Sequence, residues 1–257
     1  MGFFSVHTED FVATITFSRP PANALSSAVL KELSSLLDEL KDDEHVRVLL
    51  LHGEGRFFSA GADIKEFTAV SSSEEAASLA RAGQQVMEKL EQYPKPVIAA
   101  IHGAALGGGL ELAMGCHIRL VAENAKLGLP ELQLGLIPGF AGTQRLMRYV
   151  GFGKALEMMW TSEPITGTEA VQWGLANKAV PEEKLLEEAK TLAKKVAQKS
   201  PISVQATIEL LQAAKASTFH EAVEKEAVLF GSVFMSEDAK EGVQAFIEKR
   251  PAQFRGK

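Results

Sequence analysis

Apolar positions along the chain follow two different periods, and the switches between them predict the elements. Phe11, Ala13, Ile15 and Phe17 alternate with Val12, Thr14 and Thr16, the period of a strand. Val6 and His7 can supply its hairpin partner across Thr8-Glu9-Asp10. Arg19-Pro20-Pro21-Ala22-Asn23-Ala24 breaks that strand. Leu30, Leu33, Leu37 and Leu40 then recur at helical spacing, with Ser26 or Ser27 as the cap. The opposite face (Glu32, Asp38, Glu39, Asp42, Asp43) is acidic and reads as solvated. Val46 to Leu51 is a continuous apolar run, the pattern of a strand buried on both faces, and it ends in a loop of small residues reaching Asp63. Ser73-Glu74-Glu75 opens a helix that carries Leu79, Val86, Met87 and Leu90 to about Gln92. A second buried strand spans Pro96 to Ile101, a further one His117 to Val121, and Thr143 starts a helix with Leu146, Met147 and Val150. Strands alternating with helices indicate an α/β domain.

From Pro181 the pattern is helical. Pro181-Glu182-Glu183 opens one helix, with Leu185, Ala189, Leu192 and Val196 on its apolar face. Pro201 opens the next, and two more run from about Thr218 to Phe234 and from about Ser236 to Ile247. The segment Ala227-Val228-Leu229-Phe230, with Val233 and Phe234, carries more apolar surface than a solvent-facing helix leaves exposed. The expected division is an α/β core over 1–199 and a helical, self-associating region over 200–257.

One junction stands apart chemically. Gly107-Gly108-Gly109 lies between the Pro96–Ile101 strand and a helical stretch from Leu110 to Met114. Amides at a helix start have no intrahelical acceptor, and glycine lets a ligand approach them closely. They suit an oxygen that gains charge during a reaction. Glu111 sits one turn in, among Leu110, Leu112, Ala113 and Met114, where a carboxylate is expensive unless bonded or put to use. By itself this is equally a tight turn with a satisfied structural glutamate.

Charge and composition narrow the classes. The chain has 257 residues, 46% hydrophobic and 23% charged, with a net charge of −6, and its lysines are scattered rather than clustered. That excludes a phosphate-backbone footprint, so no nucleic-acid partner is expected. No apolar run approaches the ~20 residues of a membrane span, and the N-terminal segment lacks the pattern of a signal peptide. A single cysteine, Cys116, rules out an intrachain disulfide and points to a reducing, cytoplasmic compartment. Cys116 reads as a packing residue, and His102 and His117 as packing or backbone-bonded histidines. No His, Cys or carboxylate cluster has metal-ligand spacing, so neither metal nor cofactor is expected.

Three features gain meaning together: Ser59-Ala60-Gly61-Ala62-Asp63, Gly107-Gly108-Gly109 with Glu111, and Pro130-Glu131 followed by Ile137-Pro138-Gly139. Two small-residue loops after strands can each offer an amide to one oxygen, while two carboxylates on separate elements face each other across it. That arrangement serves chemistry beside a carbonyl, with donors stabilising an enolate and carboxyl groups moving protons.

These residues carry a family resemblance. The chain resembles the crotonase, or enoyl-CoA hydratase/isomerase, superfamily along nearly its whole length. The matching stretches include Pro21-Ala22-Asn23-Ala24-Leu25, Phe58-Ser59-Ala60-Gly61-Ala62-Asp63-Ile64-Lys65-Glu66 and Lys95-Pro96-Val97-Ile98-Ala99-Ala100-Ile101-His102-Gly103. They continue with Gly107 to Ala113, Leu129-Pro130-Glu131, Ile137-Pro138-Gly139-Phe140-Ala141-Gly142-Thr143-Gln144-Arg145-Leu146, Glu237 to Gly242, and Phe246 to Arg250. The resemblance implies a spiral of ββα units over the core, a C-terminal region that trimerises or forms a dimer of trimers, and an acyl-CoA substrate. It implies that the amides of Ala62 and Gly108 form an oxyanion hole, that Glu111 and Glu131 are the hydratase pair holding one water, with Glu131 in its acid form delivering a proton to C2, and that the Gly139 amide helps hold the water. Ala60, Asp63, Ile64 and Lys65 match positions that contact the CoA moiety, as do Phe246 and Lys249, sometimes toward a neighbouring subunit. Asp63 is open to a second reading, structuring its loop by side-chain to backbone bonds, and Lys65 to a simply solvated one.

The function so implied is hydration of a trans-2-enoyl-CoA to a 3-hydroxyacyl-CoA, with a place in fatty-acid β-oxidation. The alternatives are a branched-chain enoyl-CoA hydratase, an enoyl-CoA isomerase, a nucleic-acid-binding member or a non-catalytic one. Both glutamates favour hydration over isomerisation. Two departures from the mitochondrial hydratases, Leu129 before Pro130-Glu131 and Phe140-Ala141 in place of a small pair, bear on the acyl pocket.

Overall fold

The computed structural model describes residues 2–257. A hairpin comes first, β1 (Phe4–Glu9) antiparallel to β2 (Val12–Phe17). Its turn uses Asp10 and Phe11, both at positive φ, so the strand alternation begins at Val12 and not at Phe11. The Phe11 ring leaves the sheet, exposed, beneath the Arg47 guanidinium. Helix α1 (Ser27–Lys41) is capped by Ser26, whose side chain accepts from the Val29 amide, and it buries Leu30, Leu33, Leu37 and Leu40 as the spacing predicts. Strand β3 (Val48–Gly53) starts two residues later than the apolar run, because the Val46 amide is still bonded to Asp43 in the preceding turn. A short helix α2 (Ile64–Phe67) and a long α3 (Ser73–Glu91) follow.

Next come β4 (Val97–Ile101), β5 (Ala104–Leu106), α4 (Gly108–Gly115), β6 (Ile118–Ala122) and β7 (Lys126–Gly128). A 3-10 turn over Glu131–Leu134 leads to α5 (Gly142–Thr161), which kinks at Gly151. Then follow β8 (Ile165–Thr166), α6 (Gly167–Gln172), β9 (Lys178–Val180), α7 (Leu185–Ala197), α8 (Pro201–Ala213), α9 (Phe219–Phe234) and α10 (Glu237–Glu248).

The larger sheet has the order β1-β2-β3-β4-β6-β9, parallel from β2 onward, and the smaller one the order β5-β7-β8. The chain visits them in turn: β4 then β5, β6 then β7, β8 then β9. Two isolated parallel bridges, Leu25 to Ala62 and Ser59 to Ala105, carry the smaller sheet's pattern back through the first two windings. This is the expected spiral, and it stacks the loop after each large-sheet strand on the loop of the winding before. Strand β4 is buried throughout and β3 at every position but His52, and α7 packs against both. In the C-terminal region Val228, Phe230 and Phe234 of α9 are exposed, whereas Leu229 and Val233 are half-buried. Among the described residues, no helix is long and apolar enough to cross a membrane.

Candidate active site

The smaller sheet ends at a turn that only glycine makes cheaply. Gly107 has φ 51 and ψ −127, and a Cβ there would stand 3.1 Å from Oε1 of Glu131. Gly109 lies against the Ser59 carbonyl so closely that a Cβ would meet its oxygen. Ser59 is itself pinned: its amide donates to Ala104, its carbonyl accepts from Leu106, and its hydroxyl donates to Asn23. The loop beyond is strung to the previous winding through Ala60 N–H to Ala22, Leu25 N–H to Gly61 and Asp63 N–H to Leu25. Two of the amides left over face the same space. Among the described residues, neither Ala62 nor Gly108 donates to a backbone carbonyl, and the Ala62 nitrogen lies 3.2 Å from where a Gly108 Cβ would stand. One of the two sits at the N-terminus of α4, where the helix dipole adds to its attraction for a developing anion.

Glu111 lies one turn along α4 and is 2% exposed. Its Oε1 accepts the amides of Phe140 (2.8 Å) and Gly142 (2.7 Å), which flank the left-handed Ala141. Burial, then repulsion from Glu131, push its carboxyl up to about 7, against the pull of the two amides and Arg145. Glu131 opens the 3-10 turn on the winding that follows β7. Burial raises its carboxyl above the ordinary range too. Its Oε2 is buried with no hydrogen-bond partner among the described residues. Two carboxyl groups that repel across a small space resist ionising together. Glu111 is the better hydrogen-bonded of the two, and Glu131 keeps an oxygen without a partner among the described residues.

Gly139 lends its carbonyl to Gln84 Nε2 at 2.9 Å, while the amides addressing Glu111 belong to Phe140 and Gly142. Phe140 is buried, its ring laid against the Cβ-less faces of Gly83 on α3 and Gly108. Arg145 donates to the Phe140 carbonyl. The sequence assigned no role to Gly83, Gln84, Gly142 or Arg145. Only Gly83 carried a signal, because a glycine inside a helix is costly without a packing reason.

The remaining candidates lie farther out. Ala60 and Lys65 are exposed, as is Ile64 on α2. Asp63 caps α2 through the Lys65 amide and pairs with Arg19. The Arg19 hydrogen bond is the main cause holding its carboxyl below the usual range, so the loop-structuring reading describes the bonds it makes. Phe246 and Lys249 are exposed on α10 and its cap, and among the described residues no hydrogen bond or ion pair joins them to the glutamates. Cys116 is buried, its thiol pushed up to about 12 by desolvation. His117 bonds the Val97 amide and the Glu91 carbonyl, and burial lowers it to about 4. His102 bonds the Gly55 carbonyl.

Residues 7–257 match the family model described as enoyl-CoA hydratase/isomerase. The chain is 58% identical to a probable enoyl-CoA hydratase of Bacillus subtilis (strain 168), over 257 residues and the full length of both. It is 41% identical to a short-chain-enoyl-CoA hydratase of Clostridium acetobutylicum, over 94% of this chain and 93% of that one. Its fold is similar to the crystal structure of an enoyl-CoA hydratase from Bacillus anthracis, with a TM-score of 0.94 and 39% identity over 99% of this chain and 100% of that one.

Proposed function

The chain belongs to the enoyl-CoA hydratase/isomerase family, and within it we propose that this protein is a hydro-lyase that adds water across the 2,3 double bond of a trans-2-enoyl-CoA. The observation that carries this reading is the convergence of Glu111 and Glu131, unequally bonded, beside the two unused amides of Ala62 and Gly108. The thioester oxygen accepts from Ala62 and Gly108. Water between the two glutamates loses a proton to Glu111 as its oxygen attacks C3. The electron pair of the double bond moves onto the thioester, giving an enolate held by the two amides. Glu131 then delivers its proton to C2, and the product is a 3-hydroxyacyl-CoA. Each oxyanion donor of this kind is worth on the order of 3 kcal/mol at the transition state.

Around this centre, Ala60, Asp63, Ile64 and Lys65 form the rim toward the CoA moiety, with Asp63 acting by shaping the loop. Gly139 supports the water site. Phe246 and Lys249 approach CoA from a neighbouring subunit, and the apolar face of α9 joins copies into trimers or a dimer of trimers. The functional division is a spiral core over 1–199 and an oligomerising region over 200–257, and the enzyme works in the cytoplasm in fatty-acid β-oxidation. The test is loss of enoyl absorbance with crotonyl-CoA and with a medium-chain enoyl-CoA. A protein that shifts the double bond of a 3-enoyl-CoA and hydrates neither substrate would refute the assignment.

A further inference from the structure

Glu91, the last residue of α3, gathers groups from several elements. Its carboxylate bonds Arg145 through Nε (2.9 Å) and Nη2 (2.8 Å) and Lys215 through Nζ (2.6 Å), with Arg148 at 3.6 Å. Its carbonyl accepts from Gln212 on α8 and bonds the His117 ring. Burial works against the Glu91 charge, but Lys215 and Arg145 outweigh it and hold the carboxyl below its ordinary value. Arg145 is itself 6% exposed. With Nε and Nη2 committed to Glu91, its rigid guanidinium aims Nη1 at one place, the Phe140 carbonyl at 3.0 Å. The amide of that same residue donates to Glu111. The next residue, Ala141, is held at φ 69, a conformation that a residue with a Cβ keeps only when its surroundings impose it.

We propose that Arg145, locked by Glu91, is a positioning residue for Glu111: it fixes the Phe140 peptide so that the amides of Phe140 and Gly142 stay aimed at the catalytic carboxylate. Through Gln212 and Lys215 the same lock ties the C-terminal helical region to the active site. This inference rests on the hydration reading, in which Glu111 takes the proton from water. It concerns orientation and not contact with substrate, so it predicts an effect on turnover and little on binding.

The experiment compares Arg145→Met, Arg145→Lys, Glu111→Gln and the double variant Arg145→Met/Glu111→Gln, using crotonyl-CoA hydration across pH and circular dichroism to confirm folding. Arg145→Met is expected to lower kcat on the order of 10- to 100-fold with KM nearly unchanged, the scale of a misplaced catalytic group. The charged groups facing Glu111 are Glu131 and Arg145. Removing the positive one raises the Glu111 carboxyl further, so the acid limb of the rate profile moves to higher pH. Arg145→Lys keeps the charge without the fork and recovers only part of kcat. The double variant loses no more than Glu111→Gln alone, because Arg145 acts through Glu111. A folded Arg145→Met protein with the parental kcat and acid limb overturns the proposal, as does a double variant whose losses multiply. If Arg145→Met fails to fold, a folded Arg145→Lys protein with parental kcat overturns it instead. Glu111→Gln with parental hydration would bring down the hydration reading and this inference together, whereas an inactive Glu111→Gln beside unaffected Arg145 variants would remove this inference alone.

Discussion

Replacing Glu111 by glutamine is expected to remove activity and to add stability, and pH decides how much stability. The carboxyl is displaced upward from 4.5 to about 7, chiefly by burial and then by Glu131. Between those values the folded chain holds a proton on Glu111 that the unfolded chain has released. Stability contributed at this site therefore falls as pH rises from 4.5 to about 7, and the cost is fully present above the folded value. That displacement corresponds to about 3 kcal/mol at roughly 1.4 kcal/mol per pH unit. Glutamine's Oε1 can still accept from Phe140 and Gly142, so those amides are not orphaned, although the extra strength of a charged acceptor is lost. The net gain in alkaline buffer is then about 1–3 kcal/mol. A chain of this size gains roughly 2–4 °C in Tm per kcal/mol. Thermal melts of parent and Glu111→Gln at pH 5 and pH 8.5 should nearly coincide at the lower pH and separate at the higher, with the variant melting later. Hydration should fall by about 10²–10⁴-fold. A variant less stable than the parent at pH 8.5, or a Tm difference that ignores pH, would refute the account of Glu111 as a carboxylate held charged against its burial.

Glu131→Gln should slow hydration on a similar scale, and exchange of the substrate's α-proton with solvent should depend on Glu131 most, because it serves C2. The turnover of the parent should decline below about pH 7 as Glu111 takes up its proton, which a pH profile of kcat reads directly. Gly83→Ala puts a Cβ 2.1 Å from Cδ1 of Phe140, so it should cost about 1–3 kcal/mol and lower kcat by displacing the Phe140 peptide. Adding Phe140→Leu should recover part of the lost stability, which denaturant titration reads directly. Light scattering should give a mass three or six times that of the chain, and a monomer at micromolar concentration would contradict the role given to the exposed face of α9.

Sequence by itself determined the elements whose residues repeat. The leucines of α1, the apolar runs of β3 and β4 and the acidic first turn of α3 could be read because each is a local pattern with one stable outcome. Strands β5, β7 and β8 could not, since two or three residues carry no period and exist only because a neighbouring winding pairs with them. The same division runs through the site. The glycine turn, Glu111 and Glu131 stood out as chemistry in an apolar setting, and the family motifs pointed to Ala62 and Gly108 as the proposed donors. The resemblance already singled out Glu131 as the acid, but the unequal hydrogen bonding of the two glutamates was not legible. Phe140 and Gly142 lie 29 and 31 positions from Glu111, and Arg145 lies 54 from Glu91. Each of these residues looks ordinary in its own segment. Only the stacking of one winding on the next sets two amides on one carboxylate and leaves an oxygen of the other without a partner among the described residues.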